Sequence, residues 1–246
     1  RIHTTLDSTL QSLAEQARNE LPENTTGIDA SVVSLDAATG AIRAMVGGRG
    51  FVPNEREVNM ALSPRQTGSS VKVFILAAAV QAGAQANDVL DGTKPCTLPN
   101  PGNEAEPFII TDAVSRGVVT LQEHTTRSIN CAFGRLSQIV GLHRVVDTIY
   151  RMAESPYLYR DQPASERLPI EPFASLATGA NEMAAIDMAS GIQALANEGV
   201  HHDPYYVDFI DGPDGERIHT HLDPGSQVLD RDAALATVEI LKGPIY

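Results

Sequence analysis

Apolar positions along this chain fall into blocks whose spacing changes from one to the next. Leu6, Leu10, Leu13, Ala14, Ala17 and Leu21 recur at three- and four-residue intervals, the period of one helix face. Ser8 and Gln11 have the S-x-x-Q spacing in which two side chains satisfy the first free N–H groups of a helix. The helix is therefore expected to start at Ser8 and to end at Pro22 and the polar run after it. Residues 30–35 and 41–46 are shorter and rich in β-branched positions, and a connector ending in Gly40 joins them. That pattern predicts a β-hairpin.

Between residues 69 and 80 the chain is apolar and alanine-rich, which fits a largely buried helix. Residues 91–108 carry Pro95, Pro99, Pro101 and Pro107 and are expected to be irregular, because proline brings no backbone donor. Thr120 and Glu123 form a second capping pattern, opening a short helix that leads to Ser128. Residues 130–140 and 142–152 read as two helices broken at Gly141, with Leu142, Val145, Val146, Ile149 and Met152 on one face of the second. Another helix is expected over 183–197, stopping at Gly199. Residues 205–210 and 216–220 flank a turn as a second hairpin, and 230–241 form a last helix that Gly243-Pro244 ends. Hairpins and helices without βαβ alternation point to an α+β fold. The chain reads as free of internal repeats.

Composition narrows the function classes. The 246 residues carry 31 acidic and 18 basic side chains, a formal net charge of −13. A nucleic-acid binder needs a basic face to neutralise phosphates, so that class is set aside. There is no apolar run of 18 residues or more and no secretory signal pattern. The chain starts at Arg1 without an initiator methionine and is read as a piece of something longer. Its two cysteines, Cys96 and Cys131, are equally compatible with buried thiols and with one disulfide.

Chemistry concentrates at Ser69-Ser70-Val71-Lys72. In S-x-x-K on a helix, residues three apart share a face, which puts the Lys72 amine beside the Ser69 hydroxyl. A serine hydroxyl is a weak nucleophile until a neighbouring base takes its proton. Lysine serves as that base when burial disfavours its charged form. Alone the pattern is common, and a capping serine with a solvated lysine is the simpler reading. Ser128-Ile129-Asn130 changes the weighing. It is an S-x-N at a helix junction, with a hydroxyl that can relay a proton and an amide that can hold a peptide group. S-x-x-K occurs together with S-D-N and K-T-G in class A β-lactamases and penicillin-binding proteins, and Ile129 stands here where that set has Asp.

The flanking residues make the resemblance broad. Thr4-Thr5-Leu6-Asp7 with Leu10-Gln11, and the 30–48 hairpin ending in Gly47-Gly48, resemble the start of the transpeptidase domain of class A (bifunctional) penicillin-binding proteins. Asn59, Arg65-Gln66-Thr67-Gly68-Ser69-Ser70-Val71-Lys72, Ser128-Ile129-Asn130-Cys131-Ala132-Phe133, Ala177-Thr178-Gly179 and Ala194-Leu195-Ala196-Asn197-Glu198-Gly199 continue it. The fold it implies is serine β-lactamase/penicillin-binding-protein-like: an antiparallel sheet with a helical subdomain. Residues 1–27 read as a leading helix and linker and 28–246 as the domain. No Lys-Thr-Gly or Lys-Ser-Gly occurs, so the chain is expected to stop before that third motif and its C-terminal sheet strands. Loss of one of two oxyanion donors costs about 10²–10³ in rate, so the fragment alone is expected to be impaired.

The resemblance implies a D,D-transpeptidase that cross-links peptidoglycan through an acyl-enzyme and is a target of β-lactam antibiotics. Ser69 would attack, Lys72 take the proton, Ser128 pass it to the leaving amine, and Asn130 position Lys72 and the substrate amide. The donor would be a stem peptide ending in D-Ala-D-Ala. No metal or organic cofactor is implied. A parent anchored in the membrane, with an upstream glycosyltransferase domain, would display this part on the extracytoplasmic face. Outside the cytoplasm disulfides persist, so Cys96 and Cys131 are expected to pair and to tie the proline-rich loop to the cleft. The alternative from another class is a penicillin-binding sensor or a catalytically silent scaffold. A hydrolytic β-lactamase fits less well, because Glu166-Arg167-Leu168-Pro169 lacks the Glu-x-x-Leu-Asn pattern of class A enzymes. His201-His202 and His219-x-His221 fall short of the ligand count of a metal site.

Overall fold

The computed structural model describes residues 1–21, 28–101, 105–111, 114–153 and 170–245. Chain order opens with strand β1 (Ile2–Thr4), helix α1 (Ser8–Asn19) and the β2–β3 hairpin (Val32–Leu35, Ile42–Val46). Then come β4 (Arg65–Gln66), a 3₁₀ turn over Gly68–Val71, and α2 (Lys72–Gln81). Four short strands, β5 (Val89–Asp91), β6 (Cys96–Leu98), β7 (Phe108–Ile110) and β8 (Val118–Thr120), precede α3 (Leu121–Thr126), α4 (Asn130–Val140) and α5 (Leu142–Ala153). A second 3₁₀ turn (Ala174–Thr178) leads to β9 (Glu182–Met183), α6 (Ala185–Ala196) and β10 (Val200–His201). Strands β11 (Val207–Asp211), β12 (Arg217–Thr220) and β13 (Ser226–Gln227) and helix α7 (Arg231–Leu241) complete the order, with a last 3₁₀ turn over Gly243–Ile245.

Every named ladder is antiparallel, and the mixture of these with helices is the α+β class expected. Both predicted hairpins form, with Val32 opposite Val46 and Phe209 opposite Thr220. Helices α2, α4, α5, α6 and α7 surround the main core, built on Phe74, Ile75, Leu76, Phe133, Ile149, Met152 and Ile240. A fully buried side chain of this size contributes about 1.5–3 kcal/mol relative to exposure, so this cluster dominates the stability of the helical part. Gly191 of α6 abuts the Phe74 ring so closely that a Cβ there would overlap it.

Three sequence expectations are corrected. The N-cap of α1 is Asp7, whose carboxylate accepts from the Thr9 and Leu10 N–H groups. Ser8 is already helical, and Gln11 instead bridges to β3, accepting from the Met45 N–H and donating to its carbonyl. The stretch 91–108 is not wholly irregular: Cys96–Leu98 forms β6, paired with β7 through Cys96 opposite Ile110. Prolines 95 and 99 flank the strand rather than interrupt it, so no ladder donor is lost.

A short repeat also exists where none was expected. Residues 1–7 and 217–223 differ only at Thr5 against His221. The strands they supply, β1 and β12, flank β11 on opposite sides, but their registers differ by one residue. His3 lies across from Phe209, whereas His219 lies across from Ile210. A one-residue shift turns side chains to opposite faces, so identical sequences present opposite surfaces.

Candidate active site

The Ser69 turn is held from both ends. Its N-terminal side runs through β4, whose Arg65 and Gln66 pair with Met183 and Glu182 of β9. The Gly68 N–H donates to the Gly179 carbonyl at 3.3 Å. Gly179 has φ +78, and a Cβ there would overlap the Gly68 backbone. Only glycine permits this approach of two chain segments, and this conformation, without strain. Its C-terminal side is α2, whose apolar face is locked into the main core. Ser69 lies in the 3₁₀ turn and Lys72 opens the α-helix. With three residues per turn, a 3₁₀ segment stacks positions i and i+3, so the predicted shared face is reached by a tighter turn than an α-helix.

Lys72 is 5 % exposed, whereas Ser69 and Ser128 are exposed and Asn130 half-buried. The amine therefore lies beneath two open hydroxyls. Its Nζ lies within hydrogen-bond distance of four oxygens: Ser69 Oγ at 3.1 Å, Ser128 Oγ at 3.0 Å, the Ser128 carbonyl at 2.8 Å, and Asn130 Oδ1. All four residues singled out from sequence thus meet at one nitrogen.

The opposite wall comes from α3 and α4. Thr120 caps α3 by accepting from the Glu123 N–H at 3.2 Å, as its spacing predicted. The junction to α4 turns at Ser128, a non-glycine residue at φ +52, a conformation uncommon for residues with a Cβ. Such residues persist where the surroundings over-determine them. Here the Ser128 and Ile129 N–H groups are taken by the Thr125 and His124 carbonyls, both at 3.1 Å.

Two contributions were not assigned from sequence. Phe133 lies three residues after Asn130 on the same face of α4, with its ring centroid 5.5 Å from Lys72 Nζ, within cation–π range. The i, i+3 spacing of an S-x-N-x-x-F stretch was the available signal. The Gly68–Gly179 approach joins positions far apart in the chain, and only the Ala177-Thr178-Gly179 resemblance pointed to it.

Cys96 and Cys131 form a disulfide that links β6 to the first turn of α4, as the resemblance implied. His201 is buried and bonded to Ser190 Oγ at 2.7 Å, while His221 stacks on Tyr205 with ring centroids 3.4 Å apart. Glu166 lies outside the described residues.

Comparison with known proteins places this geometry in context. The sequence model described as "Penicillin binding protein transpeptidase domain" matches residues 30–243. Penicillin-binding protein 1A of Neisseria cinerea is 31 % identical over 200 residues, 80 % of this chain and 23 % of that protein. Penicillin-binding protein 1A of Aquifex aeolicus is 27 % identical over 220 residues, 89 % of this chain and 28 % of that protein. The chain thus spans about a quarter of the length of these curated relatives. Among solved structures, the PonA1 protein of Mycobacterium tuberculosis in complex with penicillin V superposes with a TM-score of 0.80 at 25 % identity. That match covers 99 % of this chain and 64 % of the other.

Proposed function

The chain belongs to the penicillin-binding protein transpeptidase family, and we propose on that premise that it carries the acyl-transfer site of a peptidoglycan D,D-transpeptidase. The observation that carries the reading is the convergence of Ser69, Ser128 and Asn130 on Lys72 Nζ. Ser69 Oγ attacks the penultimate carbonyl of a stem peptide ending in D-Ala-D-Ala while the Lys72 amine takes its proton. The Ser69 N–H lends one hydrogen bond to the developing oxyanion. Collapse of the tetrahedral adduct breaks the peptide bond, and the proton passes through Ser128 to the leaving amine of D-alanine. An amine from a neighbouring strand then attacks the acyl-Ser69 ester, restoring the hydroxyl and forming the cross-link.

Asn130 holds Lys72 through Oδ1 and helps to position the substrate's peptide group. A β-lactam follows the first half of the route. Ser69 opens the strained ring, and the leaving nitrogen stays tethered to the acyl group. Penicillin binding by the PonA1 relative supports this part of the reading. The class A relatives support the further proposal of a membrane-anchored parent that also carries a glycosyltransferase domain and displays this domain on the extracytoplasmic face.

Two measurements on the full-length protein test the proposal. A fluorescent penicillin should label the wild type covalently and leave Ser69→Ala unlabelled, with Lys72→Ala labelled at least about 10²-fold more slowly, the scale of a lost general base. Release of D-alanine from a stem-peptide substrate separates an enzyme from a silent penicillin sensor. Labelling without D-alanine release would favour the sensor, and labelling of the Ser69→Ala variant would sink the nucleophile assignment.

A further inference from the structure

The junction that presents Ser128 and Asn130 to Lys72 is held by backbone hydrogen bonds, with no side-chain cap on the helix that follows. Ile129, the N-cap of α4, offers no side-chain cap, so the stabilisation that a capping side chain brings to a helix start is absent there. Ser128 sits at positive φ. Covalent reinforcement arrives directly after Asn130, where Cys131 is bonded to Cys96 of β6.

That disulfide is the centre of a small apolar cluster separate from the main core: Cys96, Leu98, Ile110, Cys131 and Ala174, with Phe108 against it. Gly134 lets Leu98 and Ile110 lie directly on α4, since a Cβ there would meet both. The β6–β7 hairpin has three residue pairs, and a two-stranded hairpin alone is marginal in water. Ala174 opens the 3₁₀ turn that ends at Gly179, the residue backing Gly68 and the Ser69 turn. The cluster therefore touches both arms of the site: the α4 start that carries Asn130, and the turn that supports Ser69.

We infer that the Cys96–Cys131 disulfide is a positioning element of the acyl-transfer site, fixing the first turn of α4 so that Asn130 and Ser128 stay on Lys72. It acts through Asn130 and makes no contact with substrate. The inference rests on the proposed function, and it makes the chemistry at Ser69 sensitive to the state of two sulfurs outside the reacting set. Opening the bond with a small dithiol delivers two electrons and two protons to the sulfurs, and the dithiol closes to its own cyclic disulfide.

The test is the time course of Ser69 labelling by a fluorescent penicillin in the full-length protein. It compares the oxidised wild type, the dithiol-reduced protein, the reoxidised protein and a Cys96→Ala/Cys131→Ala double variant. The limiting rate constant at saturating penicillin should fall about tenfold to a hundredfold in the reduced and double-variant forms, the scale of an ångström-sized misplacement, and return on reoxidation. A merely structural bond would lower the melting temperature and the labelled fraction but leave that rate constant unchanged. A limiting rate constant within about twofold of wild type in the double variant overturns the inference. Because the variant retains Ser69 and Lys72, absence of labelling in the oxidised wild type would instead count against the function itself.

Discussion

Helices α1 and α2 are similar in length and opposite in how they are held. In α1 only Ala14 is buried, and Leu6, Leu10 and Leu13, just before and along it, are 47 %, 40 % and 55 % exposed. Much of its stability is local, although Arg18 is also paired with Asp29 outside the helix. Asp7 caps it, Gln11 and Gln16 donate to Glu15 and Glu20 one turn on, both at 2.8 Å, and Arg18 lies in its last turn where a cation is favoured. Helix α2 lacks both its cap and its terminal cation: no side-chain cap and no base in its last turn. Its residues from Phe74 to Val80 are all buried, and so is Lys72. The first turn of a helix is where a cation is least favoured, yet Lys72 stands there, held by oxygen acceptors from its own turn and from the α3–α4 junction. The difference shows that α2 trades local stability for an imposed position. Tertiary packing, and not propensity, puts the amine beneath Ser69.

The sharpest way to break that contrast is to remove packing from α2. Phe74 is fully buried, with Gly191 against its ring, and truncation leaves a void the close-packed helices cannot fill. Phe74→Ala should lower unfolding stability by about 3–5 kcal/mol, read as a shift in urea midpoint at unchanged slope. Fluorescent penicillin labelling should fall in step with the folded fraction. A loss below about 1 kcal/mol would mean that α2 is held by something other than this core.

Asp7→Ala removes the cap of α1 and should cost about 1 kcal/mol. Because Gln11 independently ties α1 to Met45 of β3, the helix should stay docked and labelling of Ser69 should be unchanged. Equal costs for this variant and Phe74→Ala would erase the distinction between the two helices. The same residue marks a limit of sequence reading. The apolar period of α1 placed the helix correctly. Its cap was misread because Ser8 and Gln11 satisfy a spacing rule that the fold does not use, Gln11 being drawn away by a strand 34 positions along.

Legibility elsewhere follows the same division between local and distant causes. Ser69 with Lys72, and Ser128 with Asn130, were readable because each pair is set by one turn of chain, and the two motifs together carry the family's signature. The α4–α5 break at Gly141 was readable for the same reason, with φ +96 at the glycine. Strand β6 was hidden because its two flanking prolines read as irregular chain, while its pairing partner and its disulfide to α4 are tertiary. The Gly68–Gly179 approach and the Phe133 ring against Lys72 also needed the folded chain. Residues 1–7 and 217–223 make the point most directly. Near-identical sequences cap a helix in one case, through Asp7, and secure a loop in the other, where Asp223 accepts from the Gly225 and Asp203 N–H groups.

The smallest effect is expected on the exposed leucine stripe, and it is the most demanding test of the comparison. Leu13 is more than half exposed, so Leu13→Ala withdraws little apolar area from the interior. Alanine is also the better helix former by a few tenths of a kcal/mol, which offsets part of the lost contact. Stability should therefore change by no more than about 0.5 kcal/mol, the range of surface substitutions clear of special features. A thermal or urea titration of the two proteins side by side resolves a difference of that size. If the cost instead approaches the 2 kcal/mol or more of a buried leucine truncation, the stripe is covered in solution. Helix α1 would then be a packed element like α2, and the division between a locally held helix and an imposed one would no longer stand.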